Sequence, residues 1–255
     1  MDALSNAPKA AKGSRSGTAP ISLPKAKHSK SGVSVEYAYD PAKVWLVFRV
    51  SYNRTDKAAD LLIEAGHYVY VAKRIEWSEI DGHRRKVLTN LIPNILFVYI
   101  QSNVARNLLS KRAEDPSAIP ALASIASFYY NHFAHEGNRN PPLEIPERQM
   151  LSFIEITKTE DSHLIYTSDD RIVHVKSNDY VRVKEGKFEG CMGLVVRVAG
   201  QQRVGIRLAD LGWVATSYIP SAFLEVVTKE DYDRHLDALS HPSPCDQHAE
   251  HDTSD

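Results

Sequence analysis

The sequence predicts an α+β protein in two parts, a mixed helix-and-strand module over residues 41–157 and an all-strand module over residues 177–228. Three observations carry this reading. Apolar residues recur at alternating helix-like and strand-like periods up to residue 157, and only at the strand period after 177. A Gly-x-x-x-Gly-x-x-Gly string, Gly186, Gly190 and Gly193, lies between two strand-patterned runs. The two ends, 1–40 and 229–255, carry charge and little apolar pattern, and residues 158–176 read as a connection.

The first module opens with Val44-Trp45-Leu46-Val47-Phe48-Arg49-Val50, a nearly continuous apolar run that suits a central strand. Asn53 is a candidate N-cap for a helix over residues 54–65, in which Ala58, Leu61, Leu62 and Ala65 fall at spacings of three and four. Gly66 stands where a helix-ending glycine belongs. His67 to Trp77 returns to strand chemistry, and Asp81-Gly82 is a hairpin turn signal. Arg84, Arg85 and Lys86 follow as a short basic run. Leu91 to Ile100 contains a break at Pro93 and then a buried strand. Ser102 or Asn103 can cap a helix reaching Arg112, Phe128 to Phe133 is a further strand candidate, and Pro146 to Ile156 reads as a closing helix with Met150, Leu151, Phe153 and Ile154 on its apolar side.

In the second module Val181 and Val183 alternate with Arg182 and Lys184. Gly186 supplies a turn with positive φ, Phe188 is an apolar anchor, and Gly193 opens a run where a Cβ would obstruct close chain approach. Strands follow around Val204–Leu208, Trp213–Ala215 and Phe223–Val227, with a loop at 209–212. Six basic residues stand against five acidic ones between Asn178 and Val227, too even a balance for a dedicated nucleic-acid binder. Protein contact is the better expectation for this module.

The glycine string in its strand context resembles the KOW motif of small SH3-like β-barrels that bind RNA or proteins in transcription and translation. The whole order, strand–helix–strand–strand–helix–strand and then a KOW unit, is similar to the bacterial NusG family of transcription elongation factors. VWLVFRV, DGHRRKV, IPNILFVYI and IPERQMLSFI carry the resemblance over residues 44–227. It implies a ferredoxin-like, antiparallel-sheet N-terminal (NGN) domain followed by an SH3-like KOW β-barrel. It implies that the NGN domain binds RNA polymerase at the clamp helices of the largest subunit, through an apolar patch matching Trp45, Ile92, Pro93 and Ile95 here. IPNI replaces the family's Phe-Pro-Gly-Tyr, which favours a specialised, operon-specific antitermination paralogue. Arg84, Arg85 and Lys86 are expected to touch DNA phosphates, including those of non-template DNA, or an acidic polymerase surface. The KOW unit is expected to recruit a termination helicase or the small ribosomal subunit near Leu208, Leu211 and Gly212. The alternative is a KOW-type RNA-binding or ribosome-associated protein.

Composition narrows the rest. A net charge of −1 excludes a global polyanion-binding field, although residues 1–32 carry an excess of five positive charges and residues 228–255 an excess of six negative ones. Both ends read as loosely attached tails, basic and acidic, with a short helix near Glu230–Leu239. Cys191 and Cys245 fit neither a zinc motif nor a disulfide framework, which suits a cytoplasmic protein. His241, His248 and His251 in the tail make no convincing metal site, and no cofactor is expected. No run reaches the roughly 18 apolar residues of a membrane span. Neither GxSxG, a P-loop nor HExxH occurs, and His132 and His135 lack a third ligand, so the chain is not expected to be an enzyme.

Overall fold

Two antiparallel sheets, two short ribbons and five helices make up the described part of the computed structural model, residues 23–111, 116–134 and 139–240, with the side chains of 177, 178 and 240 not described. The chain is α+β with antiparallel sheets. In order the elements are β1 (Ala26–Lys27), β2 (Ser34–Val35), β3 (Val44–Val50), α1 (Thr55–Glu64), β4 (Tyr68–Tyr70), β5 (Lys73–Ile80), β6 (His83–Asn90), β7 (Ile95–Ile100), α2 (Ser102–Leu108), α3 (Pro120–Ala123), β8 (Ala126–Phe128), β9 (Glu144–Ile145) and α4 (Glu147–Thr157). Then come β10 (Ile165–Thr167), β11 (Val173–Val183), β12 (Met192–Val198), β13 (Gln201–Leu208), β14 (Gly212–Ala215), β15 (Leu224–Val227) and α5 (Lys229–Ser240).

The first sheet runs β4-β7-β3-β8, with β9 added beside β3. Its register sorts the side chains. Trp45 faces Tyr99, Val47 faces Phe97, and Arg49 faces Ile95, so these residues share one side of the sheet. Phe97 meets Phe153 of α4 edge to face at 5.1 Å, which identifies that side as the one α4 covers. On the other side Phe48 meets Phe128 at 5.4 Å.

Several expectations shift at this level. The single strand expected over residues 67–77 is two, broken at Val71-Ala72, because β5 leaves the sheet to pair with β6 alone. Asn53 does not cap α1; Arg54 occupies the cap position without a side-chain hydrogen bond, and Asn53 is left-handed at φ 53°. The helix expected to reach Arg112 stops at Leu108, and the strand expected over 128–133 ends at Phe128.

The expected basic tail is folded from residue 23 onward; residues 1–22 lie outside the described residues. β1 and β2 form a small ribbon, and the strap around it is held by the tyrosines of the sheet. Tyr68 Oη donates to the Pro24 carbonyl at 2.6 Å, and Tyr99 Oη donates to the Asp40 carbonyl at 2.8 Å. Tyr37 stacks over Trp45 at 5.9 Å and 11°, while its hydroxyl donates to Glu147. Buried hydroxyls need partners, and the strap backbone supplies them.

The second sheet runs β10-β14-β13-β12-β11-β15. The expected barrel does not close, since no ladder joins β10 to β15 among the described residues. The reason lies in the stretch expected to be a linker. Residues 165–167 form β10 and take the free edge of β14, so that edge is already paired. Gly186 and Gly190 adopt φ of +94° and +85° in the turn before β12, as their position requires. Gly193 allows a close approach: a Cβ there would lie 2.9 Å from the Gly205 carbonyl. Gly212 is tighter still, its Cβ position 2.3 Å from the Thr167 carbonyl at φ +136°.

α4 joins the halves. Every residue from Met150 to Thr157 is buried, because the helix touches the first sheet, β13 and α5 together. One contiguous apolar core therefore contains Trp45, Phe97 and Phe153 along with Val181, Phe188, Ile206 and Leu208. Beside it Asp161, almost fully buried, receives the His163 amide at 2.8 Å and the Lys187 ammonium at 3.1 Å. Burial pushes the Asp161 carboxyl up, but these donors outweigh it and hold it below its ordinary 3.8.

Two outcomes follow. Alanine at Gly212 should destabilise the chain most, by about 3 kcal/mol or more, alanine at Gly193 by ~1–3 kcal/mol, and alanine at the open Gly186 by ~1 kcal/mol, read from denaturant midpoints. A carboxyl depressed on folding contributes stability above its unfolded pKa and loses it as pH falls through the folded value. Lys187→Met should therefore move acid unfolding to higher pH in a fluorescence titration.

Candidate functional site

β5 and β6 form a ribbon that belongs to neither sheet. Asp81 and Gly82 are both left-handed, φ 53° and 73°, the geometry of a two-residue hairpin turn. That turn fixes the register: Ile80 faces His83, Glu79 faces Arg84, Trp77 faces Lys86 and Ile75 faces Leu88. The base is tied down. Ile75 N donates to the Glu160 carbonyl at 2.9 Å, Leu91 N to the Ala72 carbonyl at 2.8 Å, and Lys73 pairs with Asp56 of α1 at 2.9 Å.

The outer half of the ribbon is exposed on both faces. Trp77 is 55% exposed and Leu88 53%. The Arg84 guanidinium sits 5.5 Å and the Lys86 ammonium 5.3 Å from the Trp77 ring centre, both in cation–π range. Arg85 projects from the opposite face, opposite Ser78. None of the three cations lies within ion-pair distance of a carboxylate among the described residues. Two cations beside a solvent-facing indole, with Arg85 on the other face of the ribbon, can hold phosphate oxygens and stack a planar group. The sequence placed Arg84, Arg85 and Lys86 here, but it missed Trp77. Counting outward from Asp81-Gly82 would have found it, since the turn alone sets Trp77 opposite Lys86.

The expected apolar patch is corrected. Trp45, Ile92 and Ile95 are all buried, and only Pro93 is exposed. Trp45 and Ile95 share the parity of Phe97, so they point to the side of the sheet that α4 and the strap cover. Tyr37, Tyr68 and Tyr99 surround the Trp45 indole at 5.9, 5.7 and 5.1 Å. Burial pushes the hydroxyl pKa of Tyr37 and of Tyr68 upward, so both remain protonated donors.

The expected partner-binding turn is also covered. Leu208, Leu211 and Gly212 are buried. Ala209 N donates to Gln149 Oε1 of α4 at 2.7 Å, and Tyr166 Oη donates to the Leu211 carbonyl at 2.9 Å. Gly186 and Gly190 shape the turn before β12, and Gly193 allows the close approach to β13. Cys191 is buried against α4, its thiol 3.5 Å from the Glu155 carbonyl, and burial pushes its pKa up. His132 rests against the Tyr129 ring; His135, Cys245 and the tail histidines lie outside the described residues. No cluster of metal-ligating side chains, and no helix long and apolar enough to cross a membrane, occurs among the described residues.

No protein-family model matches the chain, and no curated protein matches it.

Ile92→Asp should cost about 4 kcal/mol or more, because it buries a charge without a partner. Trp77→Ala should change stability by less than ~1 kcal/mol. Thermal unfolding of both variants checks the contrast and separates core from surface.

Proposed function

We propose that this chain is a NusG-type transcription elongation and antitermination factor that engages RNA polymerase through its first module and a second protein through its second sheet. The observation that carries this reading is the exposed ribbon, set into a particular topology. Leaving aside the ribbon, β9 and the helices α3 and α4, the first module reads strand–helix–strand–strand–helix–strand, and its sheet runs second, third, first, fourth strand, all antiparallel. That arrangement supports a ferredoxin-like domain. The Gly-x-x-x-Gly-x-x-Gly sheet that follows supports a KOW-type unit of open rather than closed form.

In this reading the ribbon is the accessible contact element. Trp77 and Leu88 offer an apolar strip to the polymerase, and Arg84, Arg85 and Lys86 neutralise phosphates of the transcribed DNA. The contact positions the factor without reading sequence. Trp45, Ile92 and Ile95 belong to the core instead of touching the partner. The near-even charge of the second sheet supports a protein partner, a termination helicase or the small ribosomal subunit, over RNA. The reading places the protein in the cytoplasm, where the polymerase is.

The test uses reconstituted bacterial elongation complexes and the full chain. Wild-type protein should bind them. Reversing Arg84, Arg85 and Lys86 to Glu should weaken binding and flatten its salt dependence by about two to three in log–log slope. Failure of the wild-type chain to bind RNA polymerase at any salt concentration would refute the proposal.

A further inference from the structure

We propose that α5 is a releasable clasp, closed in this structure, that holds the second sheet against α4. α5 grips at three places. Arg148 of α4 reaches Asp233 at 2.5 Å and Asp237 at 2.7 Å, two carboxylates one helical turn apart. Glu155 of α4 meets His235 Nε2 at 2.9 Å, with both side chains almost fully covered. Tyr232 stacks on Tyr180 of β11 at 4.2 Å and 18°, and its hydroxyl lies 3.1 Å from Ser152 Oγ. The first two grips belong to the first module and the third reaches into the second. α5 thus spans the joint between them.

The clasp opens as a unit because α5 has little else to hold it. Its apolar contribution is Leu236 and Leu239 against Leu151, with Leu23, Tyr37 and Tyr232 at the margin. A helix of 12 residues is marginal in water without tertiary support. Within α5, Lys229 and Arg234 reach Asp233 and Asp231, whereas Asp237 loses its ion pair once Arg148 is out of reach. Docked helix and released chain are therefore the two available states.

Glu155 is the node of the device. Its carboxylate holds α5, while its main-chain carbonyl accepts the Cys191 thiol from the second sheet. Nearer the start of α4, Gln149 holds the amide of Ala209. The same helix thus carries the clasp on one side and the 208–212 turn on another. Release of α5 loosens the sheet from α4, and with it uncovers that turn and the Cys191 thiol.

Cys191 is the natural reporter. In the full chain carrying Cys245→Ser, the rate of thiol modification by an aromatic disulfide reagent measures opening. Arg148→Glu sets like charge against Asp233 and Asp237 and should raise that rate about tenfold. Adding Asp233→Arg and Asp237→Arg to the same chain should restore protection. Amide hydrogen exchange in β3 and β7 should stay unchanged in all three chains. An unaltered thiol rate, a rate that rises together with exchange in β3 and β7, or failure of the reversed pair to restore protection would each overturn the clasp. None of these readings involves a polymerase, so they are independent of the ribbon's role.

Discussion

One helix surrounded on all sides governs this architecture. α4 lies between the first sheet, β13 and α5, and from Met150 to Thr157 it has no face left for solvent. A helix so placed must satisfy three neighbours at once. Phe153 supplies the aromatic contact to Phe97 and Tyr70, Leu151 receives Leu236 and Leu239, and Gln149 and the Glu155 carbonyl meet the second sheet. The polar members sit where two elements converge, and each is hydrogen-bonded, which is what makes their burial tolerable. Two modules that could have been separate bodies on a linker thereby share one core.

Much of this was legible in the residues, for reasons that differ by element. The run from Val44 to Val50 and the run from Ile95 to Ile100 announce central strands because both faces of that sheet are buried. Asp81-Gly82 fixed the ribbon and, through register, everything displayed on it. Gly186, Gly190 and Gly193 were readable as backbone necessities. The second sheet's strands from β11 to β15 were also legible, as short apolar runs separated by turns.

What remained hidden depends on long-range pairing. Nothing local says that Trp45 lies opposite Tyr99, and so nothing local says which way its indole turns. The strap was hidden by its composition: between Leu23 and Asp40 the Ala, Ser, Lys and Pro residues suggest a tail, and its anchors are hydroxyls of distant tyrosines bonded to its backbone. β10 was hidden because three residues, Ile165 to Thr167, carry too little pattern to distinguish an edge strand from a connection. The burial of Leu208 and Leu211 likewise follows from α4 being nearby, which their own spacing does not encode.

The ribbon's independence from both sheets has an implication for how such a protein can diversify. Its outer residues are mostly exposed among the described residues, so their identities are set by what they meet rather than by what holds the fold together. A lineage could rewrite Trp77, Arg84 or Leu88 and acquire a different target while the interior stayed as it is. Recognition and foldedness are thus governed by separate sets of positions, and selection can act on one without disturbing the other.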